Sequence, residues 1–140
     1  MKQILFLTLI ILQTTVFSQN EAINGTYQFY FEGSNGTFGE TIVLHPNGSF
    51  DIHSFKKLDG GSTPETNAYG KGTWKLEKKI VYFTTTKTDF DSKFTLDLNN
   101  TQARFHTKSS RDTSNRDIPT TLTIFESNKP WLVGRTLEKQ

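Results

Sequence analysis

The chain has no cysteine among its 140 residues. Disulfides, thiolate metal sites and a lipid-bearing cysteine are therefore excluded. No stretch carries the apolar period of an amphipathic helix, and neither heptads nor internal repeats occur. Charge of one sign is also lacking: 16 Lys and Arg stand against 14 Asp and Glu. That balance gives no electrostatic case for nucleic acid or an acidic membrane as partner. Three histidines and scattered carboxylates leave little material for catalysis. No Gly-X-Ser-X-Gly, His-Glu-X-X-His or glycine-rich phosphate loop is present.

Long apolar runs are absent but for one. Ile4–Leu12 follows the basic start Met1-Lys2-Gln3, and Val16 and Ser18 suit the −3 and −1 positions of a cleavage site before Gln19. Residues 1–18 read as an export signal, too short and too soon followed by Gln13-Thr14-Thr15 to anchor stably in a bilayer. Residues 19–140 then form a single domain. Losing Lys2 and no acid with the signal lowers the net charge from +2 to +1. Export without disulfides suits a bacterial periplasmic or secreted protein. The Asn-X-Ser/Thr triplets at Asn24, Asn35, Asn47 and Asn99 read as turn residues rather than glycan acceptors.

What is abundant is β-pattern. Glu40–Phe55 reads as two strands joined by His45-Pro46-Asn47-Gly48-Ser49. Pro46 suits a type I turn and Gly48 the left-handed position after it, which predicts a hairpin with a G1 bulge. In that register Ile42 faces Ile52 and Leu44 faces Phe50, so all four share one face. A two-residue Asn-Gly turn would mix the faces. Glu40 has the same parity, and the cost of burying an unpaired carboxylate places it at a barrel mouth rather than in a cavity.

Tyr27, Phe29 and Phe31 alternate with polar residues in the first strand. Lys56–Asn67 is a polar loop. In Gly70–Leu76 the face of Trp74 and Leu76 also carries two glycines, which permit sharp curvature. In Ile80–Lys87 pattern cannot choose between Ile80 with Tyr82 and Val81 with Phe83. Phe94, Leu96 and Leu98 alternate as a strand, and Ala103, Phe105 and Thr107 as the next, with Arg104, His106 and Lys108 outward. Leu122 and Ile124 mark another strand. The last, Trp131–Leu137, is expected to place Trp131, Val133, Arg135 and Leu137 on one face. Eight or nine such strands predict an all-β fold, an antiparallel up-and-down barrel of about eight strands, with a β-sandwich as the competing architecture.

Gly25-Thr26-Tyr27 resembles the Gly-X-Trp opening of lipocalins and other calycins, with Tyr for Trp. Arg135 resembles the basic residue that packs across the opening aromatic there. Gly72-Thr73-Trp74 followed by Ile80–Phe83 is similar to the middle of small lipocalin-like domains of bacterial envelope proteins. The resemblance implies a barrel whose interior is either packed or holds one small ligand.

The leading expectation is an exported, non-enzymatic lipocalin-like protein binding a small hydrophobic ligand. Tyr27, Phe29, Phe31 and Trp74 would form its apolar walls, with Arg135 closing one end. No cofactor is called for, and no protein partner can be named. The alternative is an envelope interaction module with a packed core, using Tyr30, Val43 and the outward pair of Ile80–Phe83. A barrel enzyme that shapes its substrate is third. His45 and His53 are expected on the outer face about 13 Å apart at the usual strand rise, too far to share a metal. Asp89–Lys93 lacks the glycine and glutamate of a calcium loop and reads as a turn. Arg104, Lys108, Arg111 and Arg116 form a basic, solvated edge.

Overall fold

A computed structural model describes residues 22–60, 62 and 65–140. The expected export signal, residues 1–18, lies outside the described residues. Eight strands follow in order: β1 Gly25–Gly33, β2 Gly36–Leu44, β3 Ser49–Leu58, β4 Thr66–Glu77, β5 Ile80–Thr84, β6 Thr101–His106, β7 Thr121–Glu126 and β8 Thr136–Lys139. Each is antiparallel to the next, and β8 returns to β1 through Tyr27↔Lys139 and Gln28↔Glu138. The protein is therefore a closed up-and-down β-barrel.

The β2–β3 hairpin takes the bulged register. Gly48 N–H donates to the His45 carbonyl (3.1 Å) and His45 N–H to that of Ser49 (2.9 Å), with Gly48 at φ +84°. Ile42 pairs with Ile52 and Leu44 with Phe50. Extending these registers across β1 and β4 arranges the inner face in four rows. The lowest is Gly25, Leu44, Phe50 and Gly72; above it lie Tyr27, Ile42, Ile52 and Gly70. The third is Phe29, Glu40, Ser54 and Ala68, and the highest is Phe31, Phe38, Lys56 and Thr66.

The two lower rows are packed. Leu44, Phe50, Tyr27, Ile42 and Ile52 are buried, facing Val81, Phe83, Phe105 and Ile124 from the far wall. Phe50 and Phe83 meet edge to face at 5.0 Å. Each such aliphatic or aromatic side chain contributes about 1.5–3 kcal/mol by leaving water. Val81 and Phe83 are thus the inward pair of β5, and Ile80 and Tyr82 lie half-exposed. On β6, Ala103 and Phe105 are buried as expected, but Thr107 lies beyond the strand and is exposed.

Two expected strands do not form. Phe94–Leu98 makes one isolated bridge, Phe94 to Tyr69, instead of a ladder. β5 stops at Thr84, so the upper half of β4 has no strand partner there. The returning segment lies against it, with Thr95 and Leu96 N–H both donating to the Tyr69 carbonyl (2.9 Å each). Leu96 and Leu98 are buried, so the alternation marks a covered side without a ladder. A Cβ on Gly70 would stand 2.8 Å from the Leu96 carbonyl oxygen, so this glycine admits a crossing chain. Gly72 likewise admits the Thr84 carbonyl, which would lie 2.2 Å from a Cβ.

The second failure is Trp131–Leu137. Pro130 opens a 3₁₀ turn, Pro130–Leu132, a position its fixed φ suits. Gly134 then adopts φ +86° and donates to the Ile124 carbonyl (2.7 Å). The turn inverts the parity: Leu132 is buried, whereas Trp131 and Val133 are 48% and 47% exposed. β8 begins only at Thr136, so above Gln28 the free side of β1 has no β8 partner. Polar Lys56–Asn67 is likewise shorter than expected as a loop, since β3 runs to Leu58 and β4 starts at Thr66.

Candidate functional site

The upper rows do not close as the lower ones do. The inward positions of β3 change from Ile52 to Ser54 and Lys56, and those of β4 from glycine to Ala68 and Thr66. Small and polar side chains there leave a cavity of about 400 Å³ beside Phe38, Glu40 and Ser54. Leu96, from the segment that crosses β4, and Trp131, from the 3₁₀ turn, contribute apolar surface. The volume lies within the roughly 300–1,000 Å³ usual for small-molecule sites.

Arg135 is the last residue before β8, and its side chain reaches across the unpaired side of β1. Its guanidinium lies 4.4 Å from the Phe29 ring centroid, a cation–π contact. Its Nε stands 3.8 Å from Glu40 Oε2. Glu40 is only 3% exposed, and neither that oxygen nor Arg135 Nε has a hydrogen-bond partner among the described residues. Burial pushes the Glu40 carboxyl above the ordinary carboxylate range, and the Arg135 charge offsets part of that rise. Glu40 is thus a buried polar group lining a cavity, not a solvated residue at the mouth. The Arg135 charge, 3.8 Å away, offsets only part of the cost of that burial.

The five residues singled out as ligand walls occupy different places. Phe29 and Arg135 stack on each other beside the cavity. Phe31 is on the rim, 52% exposed. Tyr27 belongs to the packed core: its hydroxyl donates to the Ile23 carbonyl (2.6 Å), and burial pushes its ionisation far upward. Trp74 is buried near the opposite end, where Nε1–H donates to the His45 carbonyl (3.1 Å). Parity identified the inward side of β1 and β4 but not height along the barrel. Nor does Arg135 cross the opening aromatic Tyr27; it lies over Phe29, the next inward residue.

Of the cavity's lining only Arg135 was named as such; Ser54, Lys56, Thr66, Ala68 and Leu96 are among those missed. The available signal was the polar turn that the inward series of β3 takes at Ser54 and Lys56, in line with Glu40. Thr66 was hidden by its assignment to a loop.

Outside the cavity the histidines go separate ways. His45 Nε2 lies 2.6 Å from Asp51 Oδ2, while His53 stacks on Tyr69 and pairs with Asn67. No group of three or more His, Asp or Glu side chains arranged to hold a metal occurs among the described residues. Asp91 caps the Lys93 and Phe94 N–H groups, as a turn residue does. In the basic edge, Lys108 is tied to the Ser114 and Arg116 carbonyls, and Arg116 to Asp112. No protein-family model, curated protein or solved structure matches this chain.

Proposed function

We propose that this is an exported, non-enzymatic, lipocalin-like protein that binds a small hydrophobic ligand in the upper part of its barrel. The observation that carries the reading is the contrast between two filled rows below and a cavity above, with Phe38, Ala68, Leu96 and Trp131 around one buried polar pair. Apolar walls with a few placed polar groups are the usual form of a ligand site. The space above the second row favours this reading over an interaction module whose interior is packed throughout. Export is supported by the apolar run Ile4–Leu12 behind a basic start. The bacterial envelope or the medium outside it is the proposed place of action.

Two measurements test it. Native mass spectrometry of protein purified from its host is expected to show an added small mass that organic extraction removes. Ala68→Phe, which fills the cavity from β4, is expected to abolish binding of a hydrophobic naphthylamine dye while the barrel still unfolds cooperatively. A wild-type protein with neither bound mass nor dye binding counts against the proposal.

A further inference from the structure

The buried pair at the cavity is incomplete. A direct N–H···O hydrogen bond spans about 2.7–3.2 Å, so 3.8 Å between Arg135 Nε and Glu40 Oε2 leaves both atoms unsatisfied. Both are enclosed, and a buried polar atom without a partner is costly. One atom now wants a donor and the other wants an acceptor. A hydroxyl oxygen about 2.8 Å from each would serve both. A primary amide would do so with its N–H toward Glu40 and its carbonyl toward Arg135.

Charge narrows the choice further. Glu40, 3% exposed, faces the guanidinium of Arg135, 30% exposed, so the pair brings one group of each sign to the cavity wall. An anionic or cationic headgroup against Glu40 would add a further charge where water is largely excluded, which is unfavourable. Lys56 does not alter this balance, because it is exposed at the highest row with its ammonium over the Phe38 ring. Around the pair, Phe38, Ala68, Leu96 and Trp131 offer apolar surface, and Ser54, Lys56 and Thr66 are the other polar lining.

We infer that the ligand carries a neutral headgroup that both donates and accepts a hydrogen bond, a hydroxyl or primary amide, bridging Glu40 and Arg135 with its apolar body toward the mouth. The inference rests on the binding reading above and specifies its ligand class. Calorimetric titration of the mature protein near neutral pH tests it with decanol, decanamide, decanoate, decylamine and the methyl ether of decanol. Decanol and decanamide are expected to bind about tenfold or more tighter than the other three, a difference of about 1.4 kcal/mol or more. The ether is the sharpest control, since it accepts but cannot donate.

Glu40→Gln removes the balancing charge and is expected to reverse the order of decanol and decanoate. Circular dichroism establishes whether that variant is folded; if it is not, the wild-type ranking alone decides. Equal or tighter binding of decanoate or the ether by the wild type overturns the headgroup assignment and leaves the binding reading standing. If none of the five binds, the binding reading falls and this inference falls with it.

Discussion

Asn99 and Thr85 clasp each other through both ends of one amide. Thr85 N–H donates to Asn99 Oδ1 (2.8 Å), and Asn99 Nδ2 donates back to the Thr85 carbonyl (2.7 Å). Thr85 Oγ1 also accepts from Leu98 N–H (3.1 Å). This clasp pins the point where the chain leaves β5 to the point where it returns toward β6. It therefore holds the crossing segment that brings Leu96 to the cavity.

Asn99→Asp keeps the acceptor and removes the donor, setting a carboxylate against the Thr85 carbonyl. The expected cost is about 1–3 kcal/mol, the range for a buried hydrogen-bonding group left unpaired. Urea unfolding followed by tryptophan fluorescence measures it. Ligand affinity is expected to fall as well, because Leu96 loses its support.

Glu40 makes stability depend on pH. Its folded-state pKa lies above its unfolded value, so its contribution is complete below the unfolded value and is lost as pH rises through the folded one. Glu40→Gln does not titrate. The stability of this variant relative to wild type is therefore expected to rise from about pH 4 to about pH 7. Arg135→Gln should enlarge Glu40's own penalty at the upper end, since it removes the partial offset. Denaturant midpoints across that range give the trend, and a flat difference contradicts it.

Gly72→Ala puts a methyl group 2.2 Å from the Thr84 carbonyl oxygen, a backbone atom that cannot rotate away. The loss expected is about 3 kcal/mol, at the upper end for overpacking a filled interior. Gly39→Ala is the control. Its nearest contact is an ordinary 3.5 Å from the Phe29 carbonyl oxygen, so its thermal midpoint should shift little.

Trp74→Phe keeps an aromatic ring but removes the N–H that holds the His45 carbonyl. A loss of about 1 kcal/mol is expected, that of one hydrogen bond. Dye and decanol affinities should stay unchanged, because Trp74 does not line the cavity. A large loss of affinity would return Trp74 to the site.

Phe83→Ala and Tyr82→Ala differ by one position on β5. The first empties a core place against Phe50 and should cost about 3–5 kcal/mol, as large-to-small core changes do. The second trims a half-exposed ring and should cost far less. Similar losses from the two would mean that the strand is covered on both sides.

The register of the β2–β3 hairpin was legible because it depends on neighbours alone. Pro46 and Gly48 select the turn, and only the bulged pairing puts Ile42, Leu44, Phe50 and Ile52 together. Alternation in β1, β6 and β7 was legible for the same reason, since the strand period is local. Pro130 and Gly134 carried a local signal too, but the apolar alternation around them outweighed it. Their turn buried Leu132 and left Val133 exposed and Trp131 half exposed at the cavity.

Little of the candidate site was legible. Arg135, which lines the cavity, and Phe29, on which it stacks, were named, but Tyr27, Phe31 and Trp74 were named with them on parity alone. Parity says which side of a strand faces inward, not whether that height along the barrel is filled. Filling depends on what the other strands contribute at the same row. Ser54, Ala68 and Thr66 leave room where Ile52 and its neighbours do not.

The sequence by itself determined an all-β meander, its strand faces and one hairpin register, because turn chemistry and period-two alternation act between residues close in the chain. Only the tertiary structure decided that β5 stops short, that Phe94–Leu98 crosses β4 without forming a strand, and that Arg135 reaches Glu40 over Phe29. Those outcomes follow from contacts between residues as far apart as Glu40 and Arg135. No local pattern encodes the distance between such residues or the space left around them.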